Sequence, residues 1–235
     1  MPRTKSPVTG NRLLVALPER EQRRIFARGD QVELTSREVL SEAGARLRSV
    51  YFPIDAFISM VTPLDACAGL EVALVGSEGM SGVALLLGVS VSPWNHLVQG
   101  AGEAIRIHAA PFRSELERCP ALRRRLQRYA YVTLHQIAQT AACTRFHTVE
   151  ARLARWLLMS HDRAHANTFY ATHEFLAYML GVRRVGVTKA ATSLQEKSLL
   201  RYSRGEITIL DRLGLESRSC RCYLAANELY DRILG

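Results

Sequence analysis

Six basic side chains lie close together in the C-terminal third of the sequence, where they could bind the phosphates and bases of a nucleic acid. Residues 183 to 204 contain six Arg or Lys residues and one acidic residue, Glu196, which gives a net charge of +5. Guanidinium and ammonium groups donate hydrogen bonds to phosphate oxygens and to guanine O6 and N7. The charge of the whole chain, +9, also suits a polyanionic partner. The segment therefore indicates DNA binding.

The residues around this basic cluster predict a helix-turn-helix followed by a β-hairpin wing, over Thr172 to Arg204. Gly181 suits a turn that needs a positive φ, and Ala177 is small where two helices would cross. Thr172 is a candidate N-cap with Glu174 in the first turn. Apolar contacts between the helices would come from Leu176, Leu180, Val182, Val187 and Ala190. An ordinary helical hairpin with a solvated basic face is the alternative.

Within this motif, Arg183, Arg184 and Lys189 lie at or near the N-terminal half of the second helix, the part that enters a major groove. A further set of polar and basic residues is placed to touch phosphates, which fixes position without reading sequence. That set is Thr172, His173, Thr188, Thr192, Ser203 and Arg204.

Proline and glycine divide the chain into two regions and predict an α+β fold. All eight prolines and ten of the fifteen glycines precede residue 121, and residues 121–180 contain neither. The first region has short apolar stretches separated by turn residues, which is typical of an antiparallel β-roll. The expected organisation is a sensor roll over 11–119, a long helix over 120–147, and a winged helix-turn-helix with a helical tail over 148–235.

The long helix carries a narrow seam of apolar, small and hydroxylated residues at spacings of three or four. Such a seam favours a close helix–helix contact, here between two copies of the chain. A helix packed only on its own domain is the alternative. The predicted seam consists of Leu126, Ala130, Thr133, Ile137, Thr140 and Thr144.

The whole layout resembles the CRP/FNR family of bacterial transcription regulators. The stretches Val75–Gly82 and Ala101–Ile107 resemble a cyclic-nucleotide-binding roll, the long helix resembles the family's dimerisation helix, and Thr172–Asp211 resembles its winged helix. The resemblance implies a homodimer that binds double-stranded DNA at a two-fold symmetric operator.

Two departures from that family change what is expected. Cyclic-nucleotide-responsive members hold the phosphate with an Arg-Ser/Thr pair, whereas residues 92–96 here contain no arginine, so control by cAMP is not expected. Glu78 matches the acidic residue that binds ribose, and Trp94, Asn95 and His96 are the other candidates for a different ligand; packing is the main alternative for Trp94. Where relatives of the catabolite-activator type read bases with Arg, Glu and Arg, this chain has Arg184, Val185 and Lys189.

Other chemistry is weakly indicated. His161 and His165 are spaced i,i+4 but lack a third ligand, and Cys220-x-Cys222 has no matching pair in the sequence, so neither a metal nor a cofactor is expected. Cys67, Cys119 and Cys143 are interpreted as packing residues, with redox sensing as a second option. No acid/base set marks an enzyme. With no signal sequence and no long apolar segment, a cytoplasmic protein without a membrane partner is expected.

Two questions stay open from the sequence alone. A rival function is a signalling module that binds a small molecule and whose winged helix contacts protein rather than DNA. The amphipathic tail from Cys220 to Leu234 has three candidate roles: covering the core of the winged helix, which is the simplest, pairing with a partner subunit, or contacting RNA polymerase. The effector and the operator sequence are not determined by the residues.

Overall fold

The computed structural model describes residues 10–65, 68–164 and 166–235. Its first half is a roll of two antiparallel sheets, with strand orders β1-β7-β3 and β2-β6-β4-β5. Every apolar stretch that the sequence marked as a strand forms one. The strands are β1 (Asp30–Leu34), β2 (Val39–Ser41), β3 (Ser49–Pro53), β4 (Phe57–Asp65), β5 (Ala68–Val75), β6 (Asn95–Gly100) and β7 (Gly102–His108).

Four short helices accompany the roll: α1 (Arg12–Val15), α2 (Glu19–Phe26), α3 (Val83–Leu86) and α4 (Ala109–Arg118). The first three fall in residues 11–28, where the apolar spacing predicts short helices, and in residues 83–89, where it predicts a short helical or irregular segment. The fourth was not predicted. It leads directly into the long helix, and its Phe112 and Leu116 are buried in the same core as Leu122 and Leu126.

The long helix α5 (Pro120–Phe146) has the predicted bounds, with Pro120 at its first turn. The predicted dimer seam, however, does not face outward. Leu126, Ala130, Thr133 and Thr140 are buried inside the protomer, and Ile137 packs on the core of the roll. The expectation that this seam joins two subunits is therefore wrong, because the small residues serve close packing of α5 on its own domain.

A different line of α5 is exposed. Tyr131 and Leu134 expose 56% and 63% of their surface, and both belong to a series that alternates steps of four and three residues, the spacing of a coiled-coil seam. The whole exposed line is Gln127, Tyr131, Leu134, Ala138, Ala141 and Arg145. Each of its residues comes one position after a residue of the predicted seam, which places the line about 100° around the helix.

The second half forms the predicted winged helix-turn-helix with a helical tail. A strand that was not predicted, β8, completes the wing sheet in the order β8-β10-β9. The elements are α6 (Val149–Ala164), β8 (Thr168–Tyr170), α7 (His173–Leu180), α8 (Arg184–Glu196), β9 (Leu200–Ser203), β10 (Glu206–Ile209), α9 (Arg212–Arg218) and α10 (Cys222–Leu234).

The two halves share apolar and polar contacts. Phe57, Val61 and Leu74 of the roll lie in one core with Trp156 and Leu157 of α6. The tail helix α10 packs back on α5, where Tyr230 and Leu234 are buried in the core of the roll. Tyr223 of the tail lies in the core of the winged helix, so the tail covers both cores and not the winged helix alone. Among the helices of the described residues, none has the length and apolar character needed to cross a membrane.

Candidate nucleic-acid interface

The helix-turn-helix is built by the residues that predicted it. The Thr172 side chain caps α7 by accepting a hydrogen bond from Phe175 N at 3.1 Å, and Gly181 ends the helix with φ at 61°. Thr172 Oγ1 is thus used inside the motif rather than held free for a phosphate. A Cβ at Gly181 would combine an unfavourable φ with a neighbour at 3.3 Å, so glycine is the residue that fits this turn.

The recognition helix α8 separates into a buried and an exposed face. The buried face packs Val187, Ala190, Ala191 and Leu194 against α6 and α7. The exposed face contains the residues expected to meet DNA, which are Arg183, Arg184, Val185, Thr188, Lys189 and Thr192. Val185 exposes 59% of its surface between basic neighbours, a position from which it could contact a thymine methyl group.

His173 and Thr188 are bound to each other instead of being free. His173 Nδ1 lies 3.0 Å from Thr188 Oγ1, and the imidazole stacks on Tyr202 with ring centroids 4.3 Å apart. Burial and the nearby Arg184 lower the pKa of His173, so the ring is neutral at pH 7. These contacts hold α8 against α7 and the wing, and phosphate binding by the two residues stays a prediction.

The wing places two more predicted residues beside α8. Its strands β9 and β10 pair from Leu200↔Ile209 to Ser203↔Glu206. The turn between them uses φ values of 51° at Arg204 and 86° at Gly205, as a tight hairpin turn requires. Ser203 and Arg204 are exposed at this tip, and Arg201 is exposed on the strand before it.

Five of the six basic residues of this region have no acidic partner among the described residues. Lys197 Nζ lies 2.6 Å from Glu150 Oε1, so its charge is used within the fold. Within the described part of the chain, no carboxylate lies within ion-pair distance of Arg183, Arg184, Lys189, Arg201 or Arg204. The recognition helix and the wing therefore present one uncompensated positive surface, which is the electrostatic footprint of DNA binding.

The four residues suggested for a ligand pocket in the roll are not brought together. His96 is buried between two serines, with Ser81 Oγ at 2.6 Å and Ser92 Oγ at 2.8 Å, and its burial lowers its pKa to about 4. Asn95 accepts a hydrogen bond from Ala43 N, and Trp94 packs on the core of the roll, as its packing alternative predicted. All three serve the fold.

Glu78 lines a separate cavity of about 460 Å³ between the roll, α5, α6 and α10. Its carboxylate accepts hydrogen bonds from Arg163 Nε at 2.9 Å and from Gly76 N at 3.1 Å. Sequence reasoning missed Arg163, because its partner is 85 residues away and no local spacing marks the pair. The carboxylate that would meet a ribose is occupied by the chain itself.

Two of the candidate residues for metal or redox chemistry, Cys67 and His165, lie outside the described residues. His161 Nδ1 accepts a hydrogen bond from Arg212 Nη1 at 2.8 Å, and its Nε2 donates one to Asn167 Oδ1 at 2.8 Å, so the ring is used within the fold. Cys119 is fully buried and lies 3.4 Å from Glu115 Oε2, as its packing interpretation implies. The remaining cysteines form a separate cluster.

Comparisons with known proteins agree with this geometry. Residues 151–218 match the family model of the Crp-like helix-turn-helix domain. No curated protein matches the sequence. Among solved structures, a protein assigned to the Crp/Fnr family of transcriptional regulators from Eubacterium rectale superposes with a TM-score of 0.69 at 16% identity, over 88% of this chain and 96% of that one.

Two further structures cover the same span. The c-di-GMP-responsive global regulator CLP of Xanthomonas campestris has a TM-score of 0.67 and 16% identity, over 82% of this chain and 99% of that one. A CRP/FNR-family transcriptional regulator of Thermus thermophilus has a TM-score of 0.67 and 20% identity, over 81% and 98% of the two chains. The chain thus has the fold of the CRP/FNR transcription regulators, and its residues 151–218 belong to the Crp-like helix-turn-helix domain family.

Proposed function

We propose that the protein is a homodimeric transcription regulator that binds a two-fold symmetric DNA operator. The observation that carries the proposal is the uncompensated positive surface formed by the recognition helix and the wing. Unpaired Arg and Lys side chains on this surface are free to bind phosphates and to release the counterions of DNA. Arginine and lysine on an exposed helix flank suit guanine edges and phosphates alike.

Base reading is assigned to Arg184, Val185 and Lys189. Arg184 and Lys189 donate to guanine, each with ~1–3 kcal/mol of discrimination against a wrong base. Val185 cannot accept a hydrogen bond from cytosine, so the operator differs from that of relatives with a glutamate at this place. Arg183, Thr192, Ser203 and Arg204 are exposed around this triplet and bind phosphates.

Dimerisation is assigned to the exposed line of α5. Its apolar centre is Tyr131 and Leu134, and Ala138 and Ala141 are small enough for two helices to approach closely. The same helix in a partner related by a two-fold axis would present the same line, as a symmetric dimer requires. Two recognition helices would then face half-sites about one helical turn of DNA apart.

We do not expect cAMP to control DNA binding by this protein. The segment 92–96 offers no guanidinium for a phosphate, and Glu78 is already paired with Arg163. A signal would act by favouring the arrangement of the two DNA-binding heads that matches the operator, and its effect is limited by its differential affinity for the two arrangements.

Selection of bound duplexes from a random DNA pool tests this function. We expect a palindromic consensus whose half-sites are about one helical turn apart, and the same consensus with and without cAMP. Enrichment that depends on cAMP would show that the roll binds the nucleotide after all. If no sequence is enriched in either condition, the result contradicts the proposal and favours the rival function, in which the winged helix contacts protein.

A further inference from the structure

Four side chains with metal-binding chemistry converge from two distant parts of the chain. Cys143 and His147 lie one turn apart at the end of α5, and Cys220 and Cys222 lie at the start of α10. Each offers one ligand atom, and all four atoms lie within 4.8 Å of one another. No spacing in the sequence supplies a partner for Cys220-x-Cys222, and the structure provides one in the Cys143-x-x-x-His147 pair.

The distances fit a single tetrahedral ion. Cys143 Sγ and Cys220 Sγ are 3.4 Å apart, and Cys222 Sγ lies 3.6 Å from His147 Nδ1. A tetrahedral zinc with Zn–S of ~2.3 Å and Zn–N of ~2.0 Å places two sulfurs about 3.8 Å apart and a sulfur and a nitrogen about 3.5 Å apart. Thiolates that bind different irons of a cluster must lie farther apart than these atoms do.

We propose that Cys143, His147, Cys220 and Cys222 bind one zinc ion in a closed, structural Cys3His site. Three thiolates and an imidazole are a common zinc ligand set, and soft thiolates select zinc over magnesium or calcium. Four protein ligands leave no open position for water or substrate, so the site is not catalytic.

The surroundings are those of a site that holds negative charge. The three cysteines are buried, and His147 lies at the rim. Gln139 Nε2 donates a hydrogen bond to Cys222 Sγ at 2.9 Å, the kind of contact that orients a metal ligand. Zinc with three thiolates carries a net charge of −1, and the buried Arg155, which lines the same cavity as Cys143, supplies a counter-charge.

Arg155 is otherwise poorly paired, which supports this role. Among the described residues its Nε has no hydrogen-bond partner, and its Nη2 reaches only Thr140 Oγ1 at 3.4 Å. A buried guanidinium with so few partners is costly unless a neighbouring charge compensates it.

The ion would fix the junction between the sensor and the DNA-binding head. Cys143 and His147 end the long helix where α6 begins, and Cys220 and Cys222 anchor the tail helix that packs back on α5. Bound zinc would cross-link these elements, as a structural metal does in small domains. Zinc binding at this site does not require that the protein binds DNA.

Titration of the reduced, metal-free full chain with Co²⁺ tests the site. We expect one equivalent to bind, with the thiolate charge-transfer and intense visible bands of a tetrahedral Co²⁺ site, and one equivalent of Zn²⁺ to remove them. Cys143→Ser and Cys222→Ser should lose these bands. Cys119→Ser removes another buried thiol outside the cluster and should keep them.

Circular dichroism shows whether each variant folds. If a variant of a buried cysteine does not fold, His147→Ala tests the site instead, because His147 lies at its rim. The proposal is overturned if the wild-type chain shows no tetrahedral Co²⁺ spectrum. It is also overturned if folded Cys222→Ser or His147→Ala binds Co²⁺ as tightly as wild type. Purified protein that carries a Cys143–Cys220 disulfide or an iron–sulfur chromophore instead of zinc would equally contradict it.

Discussion

Arg163 of α6 donates two hydrogen bonds to Glu78 of the roll and so joins the winged-helix half of the chain to the roll. Both side chains are largely buried, with 15% and 17% of their surface exposed. Tyr230 of the tail helix adds to this junction by donating a hydrogen bond to the Glu78 carbonyl oxygen at 2.7 Å. A residue aligned with a ribose-binding acid is thus an interdomain contact in this chain.

Removing one partner of this pair should destabilise the protein, because the other charge stays partly buried. For Arg163→Met we expect a loss of about 2 kcal/mol in the free energy of unfolding. The double variant Glu78→Gln, Arg163→Met should recover part of that loss. Urea denaturation of the two single variants and the double variant measures the coupling. Strictly additive losses would show that the pair contributes no interaction energy.

The buried carboxyl group of Glu71 makes the stability of the fold depend on pH. Its carboxyl is buried, and the lack of solvation raises its pKa to about 7. The hydrogen bonds agree with a neutral carboxyl: Ser59 Oγ lies 2.7 Å from Glu71 Oε2 and 2.6 Å from Gln99 Oε1. One hydroxyl proton cannot serve both oxygens, so a proton on Glu71 completes the network.

Because the folded pKa of Glu71 lies above the ordinary value of 4.5, the folded state holds a proton that the unfolded state releases. The contribution of Glu71 to stability is therefore complete below about pH 4.5 and falls as pH rises to about 7, by an amount on the order of 3 kcal/mol. Glu71→Gln keeps a neutral side chain and should be more stable than wild type at pH 8.

The free energy of unfolding of Glu71→Gln and of wild type should be measured at pH 5 and at pH 8. His96 titrates in the opposite sense but is present in both proteins, so its effect cancels in the difference between them. The advantage of the variant should be larger at pH 8 than at pH 5. An advantage that is independent of pH would show that Glu71 is ionised in the folded protein.

Gly186 in the recognition helix is not required by the fold. A Cβ there would meet Val149 at 3.8 Å, an ordinary contact, and the backbone is helical. Gly186→Ala should therefore stabilise the protein by up to ~1 kcal/mol, measured by urea denaturation. Gly181→Ala is the matched comparison and should destabilise it, because of its positive φ. If Gly186→Ala is destabilising, the helix needs that glycine for a reason outside these contacts.

Leu134 tests the assigned dimer surface. It exposes 63% of its surface at the centre of the exposed line of α5. Leu134→Glu should convert the dimer to a monomer in sedimentation equilibrium, because two like charges would face each other across the two-fold axis. Leu213→Glu, which changes a leucine on α9 that is more exposed still, at 76%, should leave the dimer intact. A dimer that survives Leu134→Glu would place the interface elsewhere.

Local patterns predicted most of the fold, and long-range contacts account for what they missed. The strands of the roll, α5 and the helix-turn-helix follow from turn residues, apolar periodicity and the needs of Gly181 and Thr172. Helix α5 carries two lines at helical spacing, and periodicity alone cannot tell which of them meets the roll; the one with more hydroxyl and small residues lies inside.

The candidate sites could likewise be predicted only where their residues are close together in the sequence. The exposed face of α8 could be predicted because helix geometry and charge are local. The Glu78–Arg163 pair and the four-residue cysteine–histidine cluster join residues 85 and 77 positions apart, so only the tertiary structure brings them together. Each half of the cluster has a local spacing, Cys220-x-Cys222 in one and i,i+4 in the other, but neither half is a metal site by itself.

The most direct test of the central claim is the affinity of the Arg184→Ala, Lys189→Ala variant for the selected operator, measured by fluorescence anisotropy over a series of KCl concentrations. The matched control, Arg20→Ala, Arg23→Ala, removes two exposed charges from α2. We predict that the control keeps both specific affinity and a steep salt slope, whereas the recognition-helix variant binds operator and random DNA equally weakly. Operator affinity that is retained by a folded Arg184→Ala, Lys189→Ala dimer would contradict the account.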